Sequence, residues 1–339
     1  MRLAVTLHHM AHPRESLSLA RDAEAAGADE VWVPETWGFD APSLMGAIAA
    51  GTERIGVGAV LPVYSRSPAL IAQTAAGVDA LSGGRALLGL GTSGHQVIEG
   101  WHGVPFRRPL GEVREAVAAC RMAWAREPLQ VDGPRPIPLP GGSGGPLRMI
   151  ARPERQAIPV TLAAMAPGGV RLAAEVADRW WPLFATPGAL RAHWATPLAE
   201  GAAARDPALA PLDVMVSGVA WVGEGEGADA ARAAARTEIA FYVGSMGSRE
   251  RNYYAQAVAA MGFRAEAEAI QDAALSGRRR AAEALVTHEM VDALAVIGPA
   301  GHVRERMQAL ADAGVGTFAL SPATPDAPAA LAGVRGVLV

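Results

Sequence analysis

ALLGLGTSGHQVIEGWHGVPF, residues 86–106, opens with an apolar run from Ala86 to Leu90 that is short enough to be a buried strand. A glycine-spaced turn follows at once, through Gly89, Gly91, Thr92, Ser93 and Gly94. Small residues there let a ligand approach the backbone, and freed N–H groups suit an anion or an oxidised ring edge. Then come His95, Glu99, Trp101 and His102, in a chain with only 5% aromatic residues. A strand running into a glycine turn and then into functional side chains describes the C-terminal mouth of an α/β barrel. An ordinary βα turn with hydrogen-bonded surface histidines fits the same string.

Upstream, the pattern repeats. Arg2–Leu7 reads as a buried strand, Pro13 starts a helix and Gly27 stops it. Glu30–Val33 is a second strand, Pro42 begins a second helix, and Arg54–Val60 is a third strand. Pro68 begins a third helix that ends at Ser82, Gly83 and Gly84. Strand–helix alternation at this spacing implies a parallel sheet, either doubly wound or closed. Two features favour closure. No GxGxxG follows strand one, where a dinucleotide-binding domain carries it. Polar and aromatic residues also recur after each strand: His8 and His9, Glu35 to Trp37, Tyr64 to Arg66, His95 to His102.

Downstream, Leu110–Arg126 is a helix, and the proline- and glycine-rich stretch 127–157 reads as an inserted hairpin or loop. Ile158–Ala163, Asp178–Trp181, Val214–Val222 and Gly316–Leu320 complete eight strands. Pro167, Gly168 and Gly169 open a helix whose first N–H groups suit a phosphate. The helical stretch from about 228 to 290 is too long for one barrel helix and reads as a second insertion. The expected fold is therefore a single α/β domain, a (β/α)8 TIM barrel with two insertions, each a candidate lid or interface.

Composition bounds the function. The 339 residues are 50% hydrophobic with a formal charge of −4, which gives no case for nucleic acid or an anionic membrane. One cysteine, Cys120, excludes an intramolecular disulfide and fits a reducing compartment. The N-terminus lacks the pattern of a signal peptide and no apolar run spans a bilayer, so the expected location is cytoplasmic. There is no HExxH, no cysteine cluster and no histidine pair at ligand spacing, so no metal is expected.

Five segments carry a resemblance: EVWVPETWGFDAPSLMGAIAAGTERIGVG (30–58), LPVYSRSPALIAQTAAGVDALSGGRALLGLGTSG (61–94), QVIEGWHGVPF (96–106), IPVTLAAMAPGGVRLAAEVADRWWP (158–182) and IGPAGHVRERMQALADAGVGTFAL (297–320). In this order they resemble the bacterial luciferase-like flavin and deazaflavin oxidoreductases, in particular the branch dependent on coenzyme F420. The resemblance implies a barrel and hydride transfer between the deazaflavin C5 and a small organic substrate. A luciferase-like FMN-dependent monooxygenase and a non-catalytic, cofactor-binding paralogue are the alternatives.

The resemblance also implies site residues. A non-prolyl cis peptide is expected at Gly58–Ala59, against the ring. Gly91, Thr92 and Ser93 match the segment contacting the cofactor. Met165, Ala166 and the turn into Gly168 match the phosphate-contacting backbone, and Tyr64 packs on the cofactor or its tail. Some relatives carry an Asp-His pair after strand two; here Glu35 and Thr36 stand there, so only a carboxylate remains to bond the ring edge or a substrate proton. His95 is a candidate proton donor, since histidines titrate near neutrality. His8, Trp37 and Trp101 are candidates for the substrate side, although a local core anchor is the favoured reading of Trp101. Family habit and the helical insertion point to a homodimer.

Overall fold

A computed structural model describes residues 1–338. Eight parallel strands close into a barrel: β1 (Arg2–Thr6), β2 (Glu30–Pro34), β3 (Gly56–Pro62), β4 (Ala86–Gly91), β5 (Val160–Ala163), β6 (Arg179–Trp181), β7 (Asp213–Gly218) and β10 (Val315–Leu320), with β1 closing on β10. The expected strand Val214–Val222 is in fact two. After β7 the chain leaves the barrel, and β8 (Ala220–Val222) pairs outside it with β9 (Val296–Gly298). The step is made at Gly218, where a Cβ would stand 2.9 Å from the Leu294 carbonyl oxygen.

Local chemistry sets the helices between the strands. Proline at the first turn and a capping side chain recur: Asp40 accepts from the Ser43 N–H before Ala41–Gly51, Ser67 from Leu70 before Pro68–Ser82, and Thr186 from Ala189 before Pro187–Arg191. Gly83, left-handed at φ 66°, ends the helix Pro68–Ser82. A helix not expected from the sequence, His95–Gly100, follows the β4 turn, and another, Ala327–Leu338, packs at the C-terminal end.

Alternation along each strand sends every second residue into the barrel. Its interior is built around two indoles. Trp32 of β2 and Trp181 of β6 meet edge to face at 5.2 Å, with Ala4, Met215 and Ala319 around them. Facing strands make room with glycine: a Cβ on Gly58 would lie 2.6 Å from the Trp32 ring, and one on Gly89 would lie 2.6 Å from the Ala59 carbonyl. Below, Arg179 bonds Glu30 through two nitrogens at 2.6 and 2.9 Å, and Asp213 at 2.7 Å. Glu30 also takes the Trp32 Nε1–H at 2.9 Å. An ion-pair plug thus closes the bottom and holds the indole upright.

The expected cis bond is absent: Gly58–Ala59 is trans, and the cis peptide among the described residues is Ile137–Pro138. The β3 ladder runs unbroken through both residues, Trp32 opposite Gly58 and Val33 opposite Ala59 on one side, Leu87 and Leu88 on the other. Gly58 faces Trp32 and Ala59 is fully buried, so the partly exposed Val60 is the β3 residue that reaches the mouth.

Stretch 127–157 has little regular structure, one antiparallel bridge joining Val131 and Ile137. Two arginines dock it. Arg155 bonds the fully buried Asp79, and Arg135 bonds Glu112 and the carbonyls of Val63 and Arg66. The second inserted region comprises the helices Glu226–Ser245, Tyr253–Val258, Arg264–Leu275, Arg279–Ala284 and His288–Leu294, with a π turn at Ala259–Phe263. These helices share their own apolar core, including Ala231, Ile239, Val243, Ile270 and Met290.

Candidate active site

The last inward residues of the strands form the floor of the mouth. On one side they are small or apolar: Pro34, Val60, Gly91 and Ala163, from β2 to β5. On the other, the neighbouring strands β7, β10 and β1 bring hydroxyls: Ser217, Ser321 just beyond β10, and Thr6. Ser217 takes the Trp181 Nε1–H at 3.2 Å and gives its own proton to the Leu183 carbonyl at 3.3 Å. Among the described residues, Thr6 Oγ1 is buried without a partner.

Two turns bracket the small-residue side. After β4, Ser93 is held at φ 55°, a left-handed value unusual for a residue with a Cβ. Among the described residues, the N–H groups of Thr92, Ser93 and Gly94 meet no protein acceptor. After β5, the N–H groups of Met165, Ala166, Gly168 and Gly169 are likewise unpaired at the start of the helix Pro167–Val176, which has no side-chain cap. The carbonyls of that turn are pinned back: Trp180 Nε1–H donates to Ala164 at 2.8 Å and Trp194 Nε1–H to Met165 at 3.3 Å, the two indoles packed edge to face. A groove of about 390 Å³ runs beside the turn, lined by Pro167, Gly168, Arg171, Thr196, Pro197 and Glu200. A row of free N–H groups at a helix start favours an anion.

Among the described residues, no hydrogen bond joins the side chains considered for acid–base work, Glu35 and His95. Glu35 is closed in a fork–fork pair with Arg66, at 2.5 and 2.8 Å, and takes the Ala41 N–H at 2.8 Å. Its side chain is 5% exposed, so it ties the loops after β2 and β3 together. His95 is exposed at the start of its short helix, with its ring edge-on to Phe106 at 6.5 Å. Tyr64 lies beneath that group. Its hydroxyl donates to the Arg107 carbonyl at 2.7 Å, and burial pushes it up to about 12.

At the rim, His8 takes the Met10 N–H on Nδ1 at 3.1 Å and stacks on His9 at 4.8 Å, and burial lowers His9 from the ordinary imidazole value. Trp37 and Trp101 are 56% and 63% exposed. Trp101 is therefore not a core anchor. Glu99 accepts the Phe106 N–H at 3.1 Å and shapes the loop.

Several residues of the site were not singled out from the sequence. Nothing local in the sequence distinguishes Arg66 from a solvated loop cation, or Trp180 and Trp194 from core residues. Ser217, Ser321 and Thr6 had one available signal, a hydroxyl at the last inward step of three strands. Glu238, on the helix Glu226–Ser245, reaches Ser321 from a segment far away in the chain.

The profile of the luciferase-like monooxygenase family matches residues 1–317. A Mycobacterium tuberculosis protein named as a coenzyme F420-dependent oxidoreductase is 36% identical over 312 residues, covering 89% of both chains. An F420-dependent glucose-6-phosphate dehydrogenase of Beutenbergia cavernae is 33% identical over 219 residues, covering 60% of this chain and 63% of its own. The coenzyme F420-dependent tetrahydromethanopterin reductase of Methanopyrus kandleri superposes with a TM-score of 0.81 at 22% identity, covering 98% of this chain and 96% of its own. The match of the family profile over residues 1–317, on a closed eight-stranded barrel, makes this chain a member of the luciferase-like monooxygenase family.

Proposed function

We propose that the protein is a coenzyme F420-dependent oxidoreductase acting on a small, neutral organic substrate. One observation carries the reading: two turns of unpaired backbone N–H groups flank a floor of small and apolar residues. That arrangement fits a flat ring system with an anionic tail, and the relative sharing 36% identity is named for this cofactor. When bound, the deazaflavin supplies or takes a hydride at C5. The chain's own contribution is placement. Met165 to Gly169 hold the phosphate by backbone N–H groups, and Trp180 and Trp194 keep those groups aimed outward. The turn Thr92 to Gly94 bonds the ring edge, while Val60, Gly91 and Ala163 support its face and exclude water.

Glu35 and Arg66 act by fixing the two loops beside the ring. Trp37, Phe39 and Trp101 give the rim an exposed apolar character suited to an uncharged substrate. Assembly as a homodimer, with the inserted helices between Glu226 and Leu294 as the candidate interface, is part of this reading. Among the described residues no helix is long and apolar enough to cross a membrane.

Fluorescence titration of the purified protein with oxidised F420 and, separately, with FMN tests the cofactor. Tight binding of F420 with weak binding of FMN is the expected result. The reverse preference moves the protein to the FMN-dependent monooxygenases, and binding of neither removes the cofactor assignment.

A further inference from the structure

The inserted helices form a body with a thin hold on the barrel. Their apolar core, around Ile239, Val243, Ile270 and Met290, is distinct from the barrel's, around Ile48, Ile71, Val117 and Val334, with Trp221 and Met261 packed against both. The chain enters this body through Gly223 and Gly225 and returns through Gly298, at φ 129°, 74° and 153°. Glycine bends there at little cost, as element ends that act as hinges require. Between these bends, β8 and β9 pair only with each other among the described residues.

Opposite the bends, the helix Glu226–Ser245 crosses the rim of the mouth. Tyr242 meets Phe184, in the turn after β6, edge to face at 5.8 Å. Glu238, only 9% exposed, has one side-chain partner, the Ser321 hydroxyl just beyond β10. Ser321 Oγ also takes the Ala323 N–H at 3.0 Å, which fixes the serine to the barrel. The rest of this seam is poorly joined. Thr6, the register neighbour of Ser321, and Thr324, whose N–H donates to the Ser321 carbonyl, keep buried hydroxyls without a partner among the described residues. The rings of Tyr242 and Tyr254 lie 5.1 Å apart, and no hydrogen bond joins their hydroxyls to the seam. Buried polar groups left unpaired weaken an interface. One side-chain hydrogen bond therefore ties the inserted helices to the end of β10.

We propose that the inserted helices are a gate beside the mouth, swinging on β8 and β9 and latched by the Glu238–Ser321 bond, and that ionisation of Glu238 releases the latch. The proposal goes beyond the cofactor reading and does not depend on it. The gate also bears on the phosphate turn: it packs on Phe184, and the neighbouring Leu183 N–H rests on Met165 Sδ at 3.3 Å.

Burial raises the Glu238 carboxyl from 4.5 to about 7, and in the open gate it returns to water. The open form therefore ionises first, so opening grows as pH rises from about 4.5 to about 7 and then levels off. The groups around Glu238 do not offset this. Tyr242, on its own helix, and Tyr254, on Tyr253–Val258, are held protonated by burial. The ends of β1 and β10 present the hydroxyls of Thr6, Ser321 and Thr324. On the helices packed behind it, Asp272 pairs with Arg249, and His288 meets Arg236. The other charged side chains there, Arg264, Glu266, Glu268, Arg278 to Arg280, Glu283, Glu289 and Asp292, make no bond to it.

Hydrogen–deuterium exchange followed by mass spectrometry tests the gate across this pH range in wild type, E238Q and S321A, after correction for intrinsic exchange rates. In wild type, amides of 238–245 and 253–258 lose protection by about tenfold per pH unit up to about 7 and little beyond. At every pH they exchange faster than amides of β3 and β4. E238Q keeps the protection seen in acid at all pH values, whereas S321A loses protection throughout and retains the pH dependence. Four results each overturn the proposal: flat protection in wild type, a pH dependence that survives in E238Q, unchanged protection in S321A, or equal protection in the gate and in β3 and β4. The last means that the segment opens only when the whole barrel unfolds. Should either variant fail to fold, the wild-type series, read against β3 and β4, still decides.

Discussion

Gly58 and Gly89 must be glycine because the barrel interior is already filled by Trp32. At Gly58 the obstacle is an indole held from below by Glu30, and at Gly89 it is the backbone carbonyl of Ala59. Overpacking a full core costs about 1–3 kcal/mol, so Gly58→Ala and Gly89→Ala should each lower the urea-unfolding free energy by about that amount. Gly89→Ala should be the worse of the two, because a backbone cannot rotate away. The Glu35–Arg66 pair gives a second expectation. Removing one partner strands a charge with little water, and loss of one partner of a buried pair costs about 3–5 kcal/mol. Glu35→Ala should fall in the lower part of that range, since the Arg66 side chain keeps 13% exposure. A double-mutant cycle with Arg66→Ala should show strong coupling.

At the scale of elements, the stretch 127–157 behaves as a strap with two fasteners. Arg155→Ala leaves Asp79 fully buried with only the Ala86 N–H at 3.1 Å, and should cost about 3 kcal/mol in denaturant unfolding. Arg135→Ala should instead speed proteolysis around Gly141–Gly145 and weaken F420 binding by about tenfold, because Arg135 also holds the carbonyls of Val63 and Arg66. Most elements were legible because proline starts, capping side chains and stop glycines are written locally, as at Ser67, Pro68 and Gly83. The split of Val214–Val222 was not, since both halves are equally apolar and only the approach of Leu294 at Gly218 separates them. The two candidate turns were legible as glycine-rich strings. Glu238 was not, because its helix meets Ser321 across 83 residues of chain.

For the molecule as a whole, pH and thiol chemistry give two global readouts. The Glu238 carboxyl is raised from 4.5 to about 7 in the folded state. The unfolded chain therefore ionises first, and stability falls as pH rises from about 4.5 to about 7. A shift of this size corresponds to about 3 kcal/mol. Guanidinium unfolding of wild type at about pH 5 and about pH 8 should differ by roughly that much more than in E238Q, which isolates this carboxyl from the others. Cys120 is fully buried, and burial holds its thiol far above the ordinary range. Its modification by a thiol reagent should proceed only at the rate of global opening.

The paired indoles of Trp32 and Trp181 give the barrel an optical property. Both sit dry beneath the mouth, so their emission should lie to the blue of solvent-exposed tryptophan. Any ring that settles on the floor above them becomes an acceptor for their excitation. The site thereby contains its own light meter: the share of the blue-edge emission that Trp32 and Trp181 add to that of the buried Trp124, Trp180 and Trp194 should fall with occupancy by whichever cofactor binds, without a label or a turnover assay.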